Sequence, residues 1–331
     1  MRIPVSALVI LFCAGAPAHA TLLINSTFDP SISSSLDADV IEGAIESAIT
    51  EIESNVTSTN NLTVSIYFNT MTSGLGESDT SVDTFSYDSF YNALKDVATS
   101  PDQLIALASL GTAPTNQSSG NPVNGNRRVQ ITSAEARNLG FSAPAGIDAG
   151  GGTYDSEISL NTSTTSPPGS LNGSTYSLEA VAMHEIDEAL GIGGTGSTLT
   201  GSGSLTGPVG DLDLFRYSAA GVRSYSNTQT TSPFSYFSID AGTTILSYFN
   251  QASGGDFADW LSNPIPEGFG VQVQDAFGQA GTNPSLGANE LIAFNAIGYQ
   301  LIAPEPPSSV LTGLGIALAG ILFRRRLRGS A

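Results

Sequence analysis

The chain has 331 residues, with 11 Lys and Arg against 30 Asp and Glu, a formal charge of -19, one Cys and two His. A pI near 4.1 leaves no basic surface for nucleic acid, and a single Cys excludes both a disulfide scaffold and a Cys-ligated zinc module. With 40% hydrophobic residues the chain can build a sizeable core, and its 36 glycines among many Ser, Thr and Asn predict frequent turns and long surface loops.

Residues 1–20, MRIPVSALVILFCAGAPAHA, place Arg2 before an apolar run and end on Ala18 and Ala20, the pattern of a secretory signal cleaved after Ala20. The run is too short to span a bilayer. Cys13 and His19 leave with it, so the mature chain has no thiol and one histidine, His184. Thr21–Asn25 reads as a strand. Over Asp37–Asn55, Val40, Ile41, Ala44, Ile45, Ala48, Ile49 and Ile52 recur at helical spacing. LTVSIYFN (Leu62–Asn69) reads as a central strand, and the Ser/Asp-rich Met71–Thr84 as a loop. Helices are predicted near Tyr87–Thr99, over Pro101–Ser109 and over Thr132–Leu139, with strands at Arg128–Ile131 and Glu157–Leu160. Asp148–Asp155 and Gly254–Asp259 read as turns, since neither matches a calcium-loop pattern.

Ser177 to Gly191, SLEAVAMHEIDEALG, predicts a helix with Ser177 as N-cap and Gly191 as terminator. At 100° per residue Ala182, Ile186 and Leu190 share an apolar back, while His184 and Glu188 lie one turn apart on a polar front, flanked by Glu185. Two such side chains can reach one cation. Beyond a Gly/Ser/Thr loop (191–210) come DLDLFRYS (Asp211–Ser218), a strand-like SYFSID (Ser235–Asp240), GGDFADW (Gly254–Trp260) and a last helix near Gly287–Gly298. The fold class predicted is α+β: a small mixed sheet with packed helices before the His184 helix, an irregular half after it, and a cleft between them.

The HExxE segment resembles the active-site helix of zincin metallopeptidases, whose HExxH supplies two zinc ligands and a glutamate base. Carried over by position, His184 matches the first ligand, Glu185 the general base and Glu188 the second ligand. Gly191 matches the glycine of the longer metzincin pattern, but Gly194 stands where that pattern has its third ligand and offers no donor side chain. HEIDEALG, Leu212–Ser218, Tyr236–Asp240, Gly255–Trp260 and Ala293–Tyr299 together resemble a set of exported bacterial proteins classed as metallopeptidases. The resemblance implies a zincin-like domain over 21–300, a Zn2+ or other divalent cofactor, and a protein or peptide substrate. A third protein ligand must be an oxygen, because no second histidine or cysteine remains. Asp213, inside the matched LDLFRYS, is the first candidate and Asp211 the next. Tyr217 is weighed as an oxyanion-orienting group against a buried structural tyrosine. A His/Glu/Asp set is harder and more anionic than three histidines, which disfavours zinc relative to them.

The C-terminus reads Pro304-Glu305-Pro306, then an apolar Val310–Phe323, then Arg324, Arg325, Arg326 and Arg328. This tripartite end (within 301–331) resembles the PEP-CTERM sorting signal of Gram-negative bacteria that make exopolysaccharide. It implies a short transmembrane helix, transient inner-membrane anchoring, processing by an exosortase, and delivery to the cell surface or extracellular matrix. Without both ends the body keeps 6 basic and 29 acidic residues, a charge near -23 that disfavours anionic polymers. Two other readings stay open: a catalytically inactive zincin-like structural or adhesion protein of the exopolysaccharide matrix, and a calcium-stabilised structural module.

Overall fold

A computed structural model describes residues 21–227 and 234–302. The expected secretory signal (1–20) and nearly all of the sorting signal (303–331) lie outside the described residues, and no described helix is long and apolar enough to cross a membrane.

The first half runs β1 (Leu22–Phe28), α1 (Pro30–Ser33), α2 (Ala38–Asn55), β2 (Val56–Thr57), β3 (Leu62–Thr70), β4 (Gly76–Thr80), β5 (Val82–Ser86), α3 (Tyr87–Val97), α4 (Pro101–Ser109), β6 (Arg128–Thr132) and α5 (Ser133–Asn138). Then come β7 (Ile147–Ala149), β8 (Gly152–Tyr154), β9 (Ser156–Leu160), β10 (Thr165–Ser166), β11 (Tyr176–Ser177) and α6 (Leu178–Leu190). The apolar stripe predicted for α2 is buried at Ile41, Ala44, Ile45, Ala48, Ile49 and Ile52. In β3, Val64, Ile66 and Phe68 alternate into the core, as period-2 patterning requires.

These strands make a mixed four-stranded sheet in the order β1-β3-β9-β4. β1 runs parallel to β3 with Leu22 opposite Leu62, and β3 parallel to β9 with Ile66 opposite Ser156. β4 closes the sheet antiparallel to β9, with Gly76 opposite Leu160. Helix α2 bridges β1 to β3 and packs on α6, which lies against β4 and β9. The expected loop over 71–84 is a correction: it contains β4 and β5. Their polar sequences, GESDT and VDTFS, carry no apolar alternation because β4 is an edge strand whose Glu77 and Asp79 face solvent.

After α6 the elements shorten to β12 (Val209–Gly210), β13 (Arg216–Ala219), β14 (Val222–Arg223), β15 (Tyr236–Phe237), β16 (Ser247–Tyr248), α7 (Ala288–Ala296) and β17 (Gln300–Leu301). The α+β class and the irregular second half are as predicted. Side chains hold this half together where strands are too short to do so. Trp260 is fully buried against Phe237 and Phe249, with ring centroids 5.5 and 5.4 Å away, and the Arg216 guanidinium lies 3.9 Å over the Phe249 ring. The Trp260 amide donates to the Gln274 carbonyl at 2.8 Å and its indole N–H to Glu290 of α7 at 3.1 Å. Residues 259–260 and 274 are thereby fixed side by side.

Candidate metal centre

Helix α6 begins and ends where its sequence says. The Ser177 hydroxyl accepts from the Ala180 amide at 3.1 Å, and Gly191, at φ 116°, takes the left-handed conformation that a terminating glycine allows, its amide bonding back to Asp187 and Glu188. Ala182, Ile186 and Leu190 are completely buried. The front predicted to be polar is largely covered, however: Glu185 and Glu188 are each only 5% exposed, because β4 packs against both and the chain at Gly194 against Glu188.

The His184 ring is oriented by Nδ1, which lies 3.0 Å from the Val273 carbonyl. A carbonyl can only accept, so Nδ1 carries a proton, and Nε2 is the atom left for a cation or, without one, for a second proton. Nε2 faces Glu188 Oε1 at 3.6 Å and Asp259 Oδ2 at 3.7 Å. Donor atoms of the three residues all lie within 4.8 Å of one another, and this group could hold a metal ion. Ligands sharing a tetrahedral ion at ~2.1 Å stand about 3.4 Å apart, so the observed separations fit.

Glu188 is held from two more sides, by the Ser78 hydroxyl of β4 at 2.5 Å and the Gly194 amide at 2.9 Å. A Cβ at Gly194 would run into the Glu188 carboxylate, so position 194 serves the site through its backbone and its lack of a side chain. Glu185 lies against Gly76 of β4, where a Cβ would likewise collide with its carboxylate. Asp256 approaches Gly194 from the other side. The group opens on a cavity of about 570 Å3 bordered by β4, α6 and residues 254–284.

The electrostatics are those of many carboxylates under one histidine. Burial opposes the charged form of His184, but Asp259, Glu188 and Glu185 outweigh it and raise its pKa well above the usual value. Burial and then Glu188 push Glu185 up, and burial does the same to Asp259 despite His184. Glu188 alone is lowered: burial would raise it, but hydrogen bonds from His184, Ser78 and the Gly194 amide prevail.

Of the residues predicted from sequence, His184, Glu185 and Glu188 come together. Asp213 does not join them. It is fully buried and accepts from the Ser197 hydroxyl at 2.6 Å, the Thr198 amide at 3.0 Å and the Gly210 amide at 2.9 Å, with Arg216 Nε at 3.5 Å. It pins the loop after α6 instead. Asp211 faces Glu135 of α5, away from the cavity. Tyr217 is buried under Arg223 and does not line the cavity. The third donor is Asp259, inside the GGDFADW segment expected to be a turn. The only hint in the sequence was two aspartates three apart beside the sole tryptophan.

No family model, no curated protein and no solved structure matches the chain.

Proposed function

We propose that the protein is an exported metal-dependent peptidase with a zincin-like arrangement, delivered to the cell surface or matrix by its C-terminal signal after exosortase processing. The observation that carries this reading is the convergence of His184, Glu188 and Asp259 on one point beside Glu185, in a cavity walled by an edge strand. Gly76, Glu77 and Ser78 of β4 line that cavity, and a strand with one unpaired edge can take up an extended peptide by main-chain hydrogen bonding.

A divalent cation supplies there the positive charge that polarises a carbonyl and acidifies water. Glu185 takes the proton from the water that attacks the scissile carbonyl and returns it to the leaving amine, so one peptide bond is exchanged for a carboxylate and an amine. Burial raises the pKa of Glu185, which makes its carboxylate a stronger proton acceptor than an exposed one. The Val273 carbonyl keeps His184 in the tautomer that can bind a cation.

Metal analysis of the purified chain after equilibration with zinc, manganese or calcium tests the first step. About one equivalent of cation is expected, and less than about 0.1 equivalent of every ion would sink the reading. Glu185→Gln is then expected to keep the cation and lose cleavage of an unfolded fluorescent protein substrate. A wild-type chain that binds the ion and cleaves nothing would favour the non-catalytic matrix protein.

A further inference from the structure

Gln274 is a residue the sequence does not single out. Its side chain is fully buried, and its amide nitrogen lies 3.3 Å from His184 Nε2 and 3.1 Å from Asp259 Oδ1. The first is the spacing of neighbouring ligands around one ion, and the second is a hydrogen bond to the other oxygen of the carboxylate. Asp259 Oδ1 is an acceptor, and so is His184 Nε2 in the neutral ring that a cation requires, where Nδ1 holds the one proton. The amide oxygen, buried as well, has no hydrogen-bond partner. Rotating the amide by half a turn would exchange the two ends, setting an oxygen beside the Asp259 carboxylate and the neutral His184 Nε2, an arrangement that a cation among the three makes favourable.

The surroundings hold this tip in place. The Gln274 carbonyl accepts from Trp260 N at 2.8 Å and its amide N–H reaches Glu290 Oε1 at 3.2 Å, so the backbone is fixed from two sides. Gly193, at φ 74°, leaves the space: a Cβ there would strike the Gln274 amide. We infer that Gln274 is a fourth ligand to the cation, turning Oε1 toward it. This rests on the metal-site reading above and deepens it. The donor set becomes one imidazole nitrogen and three oxygens, from Glu188, Asp259 and Gln274. Such a set is harder than that of a three-histidine site, and it narrows the advantage of zinc over manganese.

The test is titration of the chelator-treated full chain with Mn2+ and with Zn2+, followed by calorimetry, in the wild type, Gln274→Leu and Gln274→Glu. Circular dichroism of the cation-free variants confirms that they fold. Gln274→Leu is expected to weaken Mn2+ at least tenfold, and more than it weakens Zn2+. Gln274→Glu keeps an oxygen but cannot donate a hydrogen bond to Asp259, so it is expected to bind Mn2+ at least as tightly as the wild type. If Gln274→Leu binds as tightly as the wild type, or Gln274→Glu is as weak as Gln274→Leu, the amide serves only as a hydrogen-bond donor and the inference is overturned. A wild type that takes up neither ion would instead refute the metal-site reading, a distinct result.

Discussion

Two buried aspartates of the second half, Asp213 and Asp259, have similar exposure and opposite surroundings. Asp213 receives two backbone amides, a hydroxyl and the Arg216 guanidinium, so both of its oxygens are satisfied and its charge is matched. Asp259 faces one amide donor, one histidine and further carboxylates. Desolvating a carboxylate is tolerable with the first set of partners and costly with the second unless a cation completes it. The difference separates a carboxylate that builds the fold from one that is held ready for a ligand.

The largest expected effect breaks the satisfied side. Asp213→Ala leaves Arg216 fully buried without its counter-charge and is expected to cost about 3–5 kcal/mol of unfolding free energy, read from denaturant midpoints. A loss below about 1 kcal/mol would mean that the pair does not hold the loop after α6.

Glu135 and Asp211 sharpen the comparison, since both are buried and face one another, two carboxyl groups joined by a hydrogen bond that only a proton held between them can supply. Burial first, and then the charge of Asp211 on Glu135 and of Asp213 on Asp211, raises both pKa values well above the carboxylate range, although hydrogen bonds from the Leu212 amide and Glu135 pull Asp211 the other way. Raised folded-state values mean that the native chain keeps protons the unfolded chain has released. Stability is therefore highest below the unfolded pKa, about 4, and falls as pH rises toward the folded values. Glu135→Gln is expected to flatten that fall and to gain on the order of 1–3 kcal/mol at pH 8 relative to the wild type. Equal slopes of stability against pH in the two proteins would show that the pair is not the source.

The smallest effect on stability is expected at the unsatisfied side. In chelator, Asp259→Asn removes one charge from an anionic cluster and should unfold no more easily than the wild type, while its metal content falls. Marked destabilisation without cation would place Asp259 with Asp213 as a structural residue.

What could be read in advance followed from local rules. Helix α6 was legible because Ser177 and Gly191 punctuate it, and α2 and β3 because their apolar periods are long and regular. His184, Glu185 and Glu188 were legible because one helical turn places them together. β4 was not, because an edge strand at a cleft has exposed residues on one side and site partners on the other, and shows no apolar alternation. Asp259 and Gln274 were not, because what distinguishes them is the partner list brought by distant chain, and the sequence pointed to Asp213 and Asp211 of DLDLFRYS while GGDFADW read as a turn. Gln274 is 90 positions from the histidine it faces.

The bare backbone at Gly194 has a consequence for how such a centre can change over time or by design. A histidine placed there would enter the volume already taken by the Glu188 carboxylate and disturb the amide that orients it. The two ways of furnishing a third donor are therefore mutually exclusive, and no single substitution leads from one to the other without passing through a chain that has neither.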